Sequence, residues 1–209
     1  MKPYDVIAIG ELNVDLLLNR IEGFPEIGKE KFAGDMLLTL GSSTAIFAAN
    51  SAALGVRTGF AGMIGRDMFG ELVKRSLREK GVDTRFVIES DACATGATIV
   101  MNYGEDRANL TYQGAMDRMR FADIDKDLFT LTRHIHLSSI FMQSGLMQDL
   151  GELLRHARSQ GVTVSLDTQW DPAETWNFDY RTLLPLVDVF LPNEKELMGL
   201  TRRATVDEA

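Results

Sequence analysis

The chain has 209 residues, with 22 Lys and Arg against 30 Asp and Glu, a formal charge of −8, 45% hydrophobic residues and one cysteine, Cys93. That length supports one sizeable core with room for a small appended unit. The negative balance argues against nucleic acid or an anionic membrane as the main partner. A lone cysteine excludes an internal disulfide and fits a reducing compartment, and no run approaches the ~20 apolar residues of a membrane span, so the expected location is the cytoplasm.

Val6–Ile9 is a continuous apolar run, the pattern of a strand buried on both faces of a parallel sheet. Beyond Gly10, the residues Glu11, Asn13 and Asp15 alternate with Leu12, Val14 and Leu16, which places the three polar side chains on one face of an extended segment. That face follows the carboxyl end of the first strand, where open α/β sheets bind ligands. Asn13 and Asp15 together can donate to and accept from vicinal hydroxyls, although a half-exposed strand with its polar side in water fits the same pattern. Strand 35–40 leads to a glycine turn at Gly41, the capping candidates Ser42, Ser43 and Thr44, an Ala-rich helix and a stop at Gly55. The free amides of that helix start suit an oxygen-rich ligand. Strand 59–64 follows, then a helix from Asp67 to about Lys80 with Phe69, Leu72, Val73 and Leu77 on its apolar face.

Segments 95–101 and 108–112 flank a polar turn and read as a β-hairpin, which interrupts the β/α alternation. With the extended stretches near 12–40, this hairpin (95–113) predicts a small second sheet, able to act as a lid or as a dimerisation surface. The alternation resumes with strand 134–139, helix 146–160, strand 162–167, a helical stretch at 180–184, strand 187–191 and a helix starting at Pro192-Asn193. No P-loop, dinucleotide glycine turn or nucleophile elbow is present. His134 and His136 share a strand face and favour a structural role over zinc binding. Asp167-Thr168-Gln169-Trp170-Asp171 sits at a strand exit, either as a ligand contact or as an ordinary loop start. Asn193 and Glu196 have the spacing of a capping box, and could also order water around a hydrated magnesium ion.

Taken in order, three pieces resemble the PfkB (ribokinase-like) family of carbohydrate kinases. Gly41–Gly65, continuing to Asp67, resembles the N-terminal signature, with Gly62-Met63-Ile64-Gly65-Arg66-Asp67 at its end. Gly10–Asp15 resembles the first strand and sugar-contacting segment, and Val187–Leu197 resembles the N-x-x-E region. The resemblance implies a doubly wound, mostly parallel α/β sheet with a small β-sheet lid, and ATP-dependent phosphorylation of a sugar hydroxyl. It implies that Asn13, Asp15, Gly41, Ser42, Ser43, Asp167 and Gln169 hold the acceptor. Asn193 and Glu196 would help place ATP phosphates and Mg2+, with Glu196 reaching the metal through water. A homodimer through the lid is compatible with it.

Three departures shape the expectation. Ser42 and Ile46 stand where the family often has a second glycine and an asparagine, and Ile46 cannot hydrogen-bond a hydroxyl. Asp171 stands where an arginine is common, which predicts a neutral sugar or sugar-like acceptor. The family's second signature, a glycine-rich turn ending in Gly-Asp, supplies the catalytic aspartate, and nothing up to Ala209 matches it. The expectation is therefore a truncated domain spanning 1–209 that lacks the C-terminal part of the fold, carries the acceptor half of the site and is inactive alone. The competing reading is a catalytically dead sugar-binding or dimerisation module.

Overall fold

The structure is a computed structural model that describes residues 2–209. Its elements run β1 (Tyr4–Ile9), β2 (Asn13–Asn19), β3 (Asp35–Leu40), α1 (Ser43–Ala53), β4 (Thr58–Gly65), α2 (Met68–Glu79), β5 (Asp83–Ser90), β6 (Gly96–Tyr103) and β7 (Asp106–Tyr112). They continue as α3 (Leu128–Leu131), β8 (Thr132–Ser138), α4 (Ser144–Ser159), β9 (Thr163–Asp167), α5 (Tyr180–Leu183), β10 (Val189–Phe190) and α6 (Glu194–Thr201). Six strands pair in the order β10-β9-β8-β1-β4-β5, every neighbour parallel. The other four form a second sheet, β3-β2-β6-β7, in which only the β2–β6 pair is parallel.

The composition of β1 explains its central place. Ile7 and Ile9 belong to the core on one face, with Leu150, Leu153 and Leu154 of α4, whereas Ala8 belongs to the core on the other, with Ala45 and Ala48 of α1. All eight side chains are fully buried, and each large one contributes about 1.5–3 kcal/mol by leaving water. The alanines keep α1 thin on the side facing the sheet. Helices thus cover both faces, as a doubly wound sheet requires.

Ser42 caps α1, its Oγ accepting from the Ala45 amide at 2.9 Å. Asp67 caps α2 with one carboxylate oxygen on the Gly70 amide (2.8 Å), and its other oxygen accepts from the Thr95 amide (2.7 Å). The end of the glycine-rich signature therefore ties α2 to the base of β6. The sequence pattern did not reveal β5, because its apolar stretch is only Phe86-Val87-Ile88 between Arg85 and Glu89, at the edge of the sheet. The expected strand 187–191 shortens to two paired residues, since Asp188 turns its carboxylate onto the Val164 amide at 2.7 Å. Among the described residues no helix is long and apolar enough to cross a membrane.

Candidate functional site

A cleft of about 760 Å³ opens between the carboxyl edge of the parallel sheet and the second sheet. It is lined by Asn13, Asp15, Ser42, Ser43 and Gln169 of the residues expected from sequence. β1 delivers the chain to this edge, and β2 then leaves along the second sheet. Asn13 and Asp15, two positions apart in β2, face the cleft together.

Asn13 is buried; its Nδ2 donates to Asp15 Oδ1 and to Thr98 Oγ1, each at 3.0 Å, and its Oδ1 has no protein partner. Desolvation raises the pKa of Asp15 above the ordinary aspartate value, opposed by the hydrogen bond from Asn13 and by the positive charge of Arg107. Gly41 meets these two side chains at closest approach. A Cβ on Gly41 would press on Asp15 Oδ1 and lie 2.7 Å from Asn13 Oδ1, so only glycine lets the turn reach this site.

Glu11 departs from the expected polar face. It precedes β2, so the alternation does not extend to it, and its carboxyl turns toward the amino end of α1, where it is buried. There it accepts from Ser42 Oγ (3.0 Å), Ser43 Oγ (3.1 Å), the Thr44 amide (3.3 Å), Thr44 Oγ1 (2.5 Å) and Gln143 Nε2 (3.3 Å). Desolvation raises its pKa despite these donors. Ser43 also hydrogen-bonds Ser138 Oγ at 2.9 Å and Ser139 Oγ at 2.6 Å, which joins the ends of β1 and β8 to the helix start. The Glu11 carboxyl therefore fills the acceptor position at the helix start, and the cleft presents hydroxyls rather than free amides.

Asp167 stands behind the cleft wall. Its carboxylate accepts from Gln169 N (3.2 Å) and Gln169 Nε2 (2.8 Å), with Gln169 held at a positive φ of 59°. Asn193 and Glu196 lie outside the cleft lining and form the capping box of α6: Asn193 Oδ1 accepts from the Glu196 amide at 2.9 Å, and Glu196 accepts from the Asn193 amide at 3.1 Å and from Asn193 Nδ2 at 2.5 Å. Burial raises the Glu196 pKa, and the nearby charge of Asp167 pushes the same way. Both Glu196 oxygens are engaged, and the described residues hold no group of three or more His, Cys, Asp and Glu that could cage a metal.

Asp171 does not line the cleft. It is buried and accepts from the Ala173 amide (2.9 Å), the Trp176 amide (2.7 Å) and Thr175 Oγ1 (3.0 Å), and these hydrogen bonds lower its pKa despite burial. The expectation of a neutral acceptor rests on the missing arginine at 171, and Asp171, turned into its own loop, offers the cleft no charge of either sign. Trp170 and Ile46, each 45% exposed, line the cleft instead. His134 hydrogen-bonds Thr163 Oγ1 and Ser165 Oγ, both at 2.8 Å, while His136 bonds Ser165 Oγ at 2.8 Å and stacks on Phe47 at 3.7 Å.

Sequence reasoning missed the contribution of the second sheet and of β8. Thr98, Arg107, Asn109, Thr111 and Ser139 also line the cleft. The alternation Arg107, Asn109, Thr111 was a usable signal, but only the pairing of β7 with β6 shows which face covers the cleft.

Comparison with known proteins agrees with this architecture. Residues 5–209 match the model of the pfkB family carbohydrate kinase. The ATP-dependent ribose-1-phosphate kinase of Halopiger xanaduensis is 30% identical over 197 residues, which cover 93% of this chain and 63% of that protein. The 5-dehydro-2-deoxygluconokinase of Geobacillus kaustophilus is 28% identical over 190 residues, 88% of this chain and 54% of that protein. Among solved structures, the ATP-bound fructokinase from Xylella fastidiosa superposes with a TM-score of 0.79 at 26% identity, over 98% of this chain and 67% of that one. The PfkB protein from Polaromonas sp. JS666 reaches a TM-score of 0.82 at 23% identity, over 97% of this chain and 70% of that one, and shows the same fold. The chain thus spans little more than half to two thirds of the length of these relatives, and over that span it belongs to the pfkB family of carbohydrate kinases.

Proposed function

We propose that this chain carries the acceptor half of an ATP-dependent sugar kinase site, in which a sugar hydroxyl receives the γ-phosphoryl group of ATP. The observation that carries the reading is the convergence of Asn13 and Asp15 with Ser42, Ser43 and Gln169 on one cleft at the carboxyl edge of the sheet. Asp15 accepts from acceptor hydroxyls, while Ser42 and Ser43 present hydroxyls fixed by Glu11. Gly41 keeps this set close, and Asp167 holds Gln169 in place. Phosphoryl transfer needs positioning and charge neutralisation more than covalent help from the protein, and a bound acceptor with restricted motion answers the first need.

The second sheet serves as a lid that excludes water from the transfer. When bound, ATP and Mg2+ would supply the phosphoryl group and offset its charge, and Asn193 and Glu196, close to the charge of Asp167, would hold the ion through its water. On this half-site reading the chain by itself is expected to bind an acceptor without phosphorylating it. Phe24, Ile27, Phe32, Met36 and Leu37 are exposed apolar side chains on and before β3, and they support a homodimer formed through the lid. The acidic balance and single cysteine support a cytoplasmic location.

Thermal melts of the purified chain against a panel of sugars, with and without ATP and Mg2+, test the reading. At least one sugar is expected to raise the melting temperature, and Asp15→Asn is expected to weaken that sugar about tenfold. If no sugar stabilises the chain, or if Asp15→Asn leaves the response unchanged, the acceptor-site reading fails. Sugar-dependent ATP turnover by the 209-residue chain would refute the half-site assignment.

A further inference from the structure

Among the described residues, the charged side chains of the cleft make no ion pair. Glu11 is occupied by the start of α1, which leaves Asp15 at one end and Arg107 at the other. Arg107 is the only Lys or Arg among the lining residues. It is exposed and, among the described residues, makes no ion pair. Of the neighbouring acids, Glu105 lies in the turn and Asp106 begins β7, and neither forms an ion pair with it.

The sheet register sets the spacing between the two charges. Asp15 pairs across from Thr98, and Thr98 from Thr111, whereas Arg107 pairs with Asn102 further out along the hairpin. Arg107 is therefore displaced from Asp15 by about 10 Å across two strand spacings and by about 14 Å along β7. The long guanidinium side chain covers part of that offset, and the carbon skeleton of a pentose or hexose spans the remainder. Asn109 lies between Arg107 and Thr111 on the same strand face and adds an amide donor. The positive charge of Arg107 is felt at Asp15, so the two groups share one electrostatic environment.

We infer that Arg107, supported by Asn109, selects an acceptor with an anionic substituent, a carboxylate or a phosphate, at the end opposite the hydroxyls held by Asn13 and Asp15. The inference rests on the acceptor-site reading and deepens it. Guanidinium matches both anions with paired N–H donors, and a half-enclosed cleft strengthens such a contact relative to open water. The negative charge of Asp15 reinforces the polarity, because an anion placed at its end of the cleft would be repelled. The acceptor thus enters in one orientation, with its anionic end toward the hairpin.

Calorimetric titration of the 209-residue chain with ribose, fructose, ribose 5-phosphate and 2-keto-3-deoxygluconate tests this. The expected result is that one of the two anionic sugars binds at least about tenfold tighter than its neutral counterparts. Which of the two wins tells phosphate from carboxylate. In Arg107→Gln the preference for the anionic sugar is expected to collapse toward unity, and in Arg107→Lys a part of it returns; unliganded melts of both variants check that the fold is kept. Neutral sugars binding as tightly as anionic ones, or a preference that survives in Arg107→Gln, would overturn the inference and leave the acceptor site standing. No binding of any of the four sugars would overturn both.

Discussion

Replacing Glu11 with alanine is expected to destabilise the chain more than any conservative change on its surface. The carboxyl is 4% exposed and accepts from five donors. Three of those donors have other partners: Ser42 Oγ bonds the Glu11 carbonyl at 2.7 Å, Ser43 Oγ bonds Ser138 and Ser139, and Gln143 Nε2 bonds the Ser138 carbonyl at 2.8 Å. The Thr44 amide loses its side-chain acceptor, and Thr44 Oγ1 is left with a 3.4 Å contact to the Ser138 carbonyl. Two buried donors at about 1–3 kcal/mol each, partly offset by no longer burying an acid, give a net loss of about 3 kcal/mol. For a chain of this length that lowers the melting temperature by roughly 6–12 °C. Thermal or denaturant unfolding of Glu11→Ala beside the parent chain measures it, and a change within about 0.5 kcal/mol would show that the network contributes nothing. The pH dependence provides a second reading. Burial raises the Glu11 pKa above its usual 4.5, so the folded chain binds the proton more tightly than the unfolded one. Its contribution is fully present below pH 4.5 and is lost as pH rises through the folded value. The stability difference between the parent and Glu11→Gln should therefore decline over that rise and then level off; a flat difference would contradict the assigned burial.

Gly41→Ala should displace Asp15 and Asn13 and weaken acceptor binding by roughly 10–100-fold in calorimetry, more than its effect on the melting temperature would suggest. An unchanged affinity would show that the close approach is not needed. Asp67→Ala removes both the α2 cap and the anchor of Thr95, so a loss of about 1–2 kcal/mol is expected, with faster amide hydrogen exchange at the base of β6 than in β1. Equal exchange in parent and variant would count against the anchor. The His136 pKa falls from 6.5 to about 4 because the ring is desolvated, with the His134 charge as a lesser cause. The stability this contributes is present above pH 6.5 and is lost as pH falls toward 4, on the order of 3 kcal/mol in all. Acid unfolding of His136→Phe should lack that component, and parallel acid profiles would refute it.

Local chemistry was enough to read much of the chain. The apolar run at Val6–Ile9, the capping serines before an Ala-rich helix, Asp67 at a helix start and the Asn193/Glu196 capping box each act through neighbours within a few residues, so their geometry follows from spacing. The pairing of Asn13 with Asp15 and the small second sheet were legible for the same reason: strand alternation determines which side chains share a face. What these faces meet was decided only by tertiary structure. Glu11 looked like a third member of the Asn13–Asp15 face and instead turns to α1, 33 residues away in sequence from its Thr44 partner. The segment 167–171 fitted a ligand contact or an ordinary loop start equally, and Asp171 closes its own loop because three local donors satisfy its carboxylate. The alternation of Arg107 with Asn109 and Thr111 marked one strand face but not what it covers, because that depends on β7 pairing with β6, β6 with β2, and the resulting sheet standing over the cleft. Periodicity specifies a face within one element; which charge lines the cleft depends on strand order and register, which are properties of the assembled sheets.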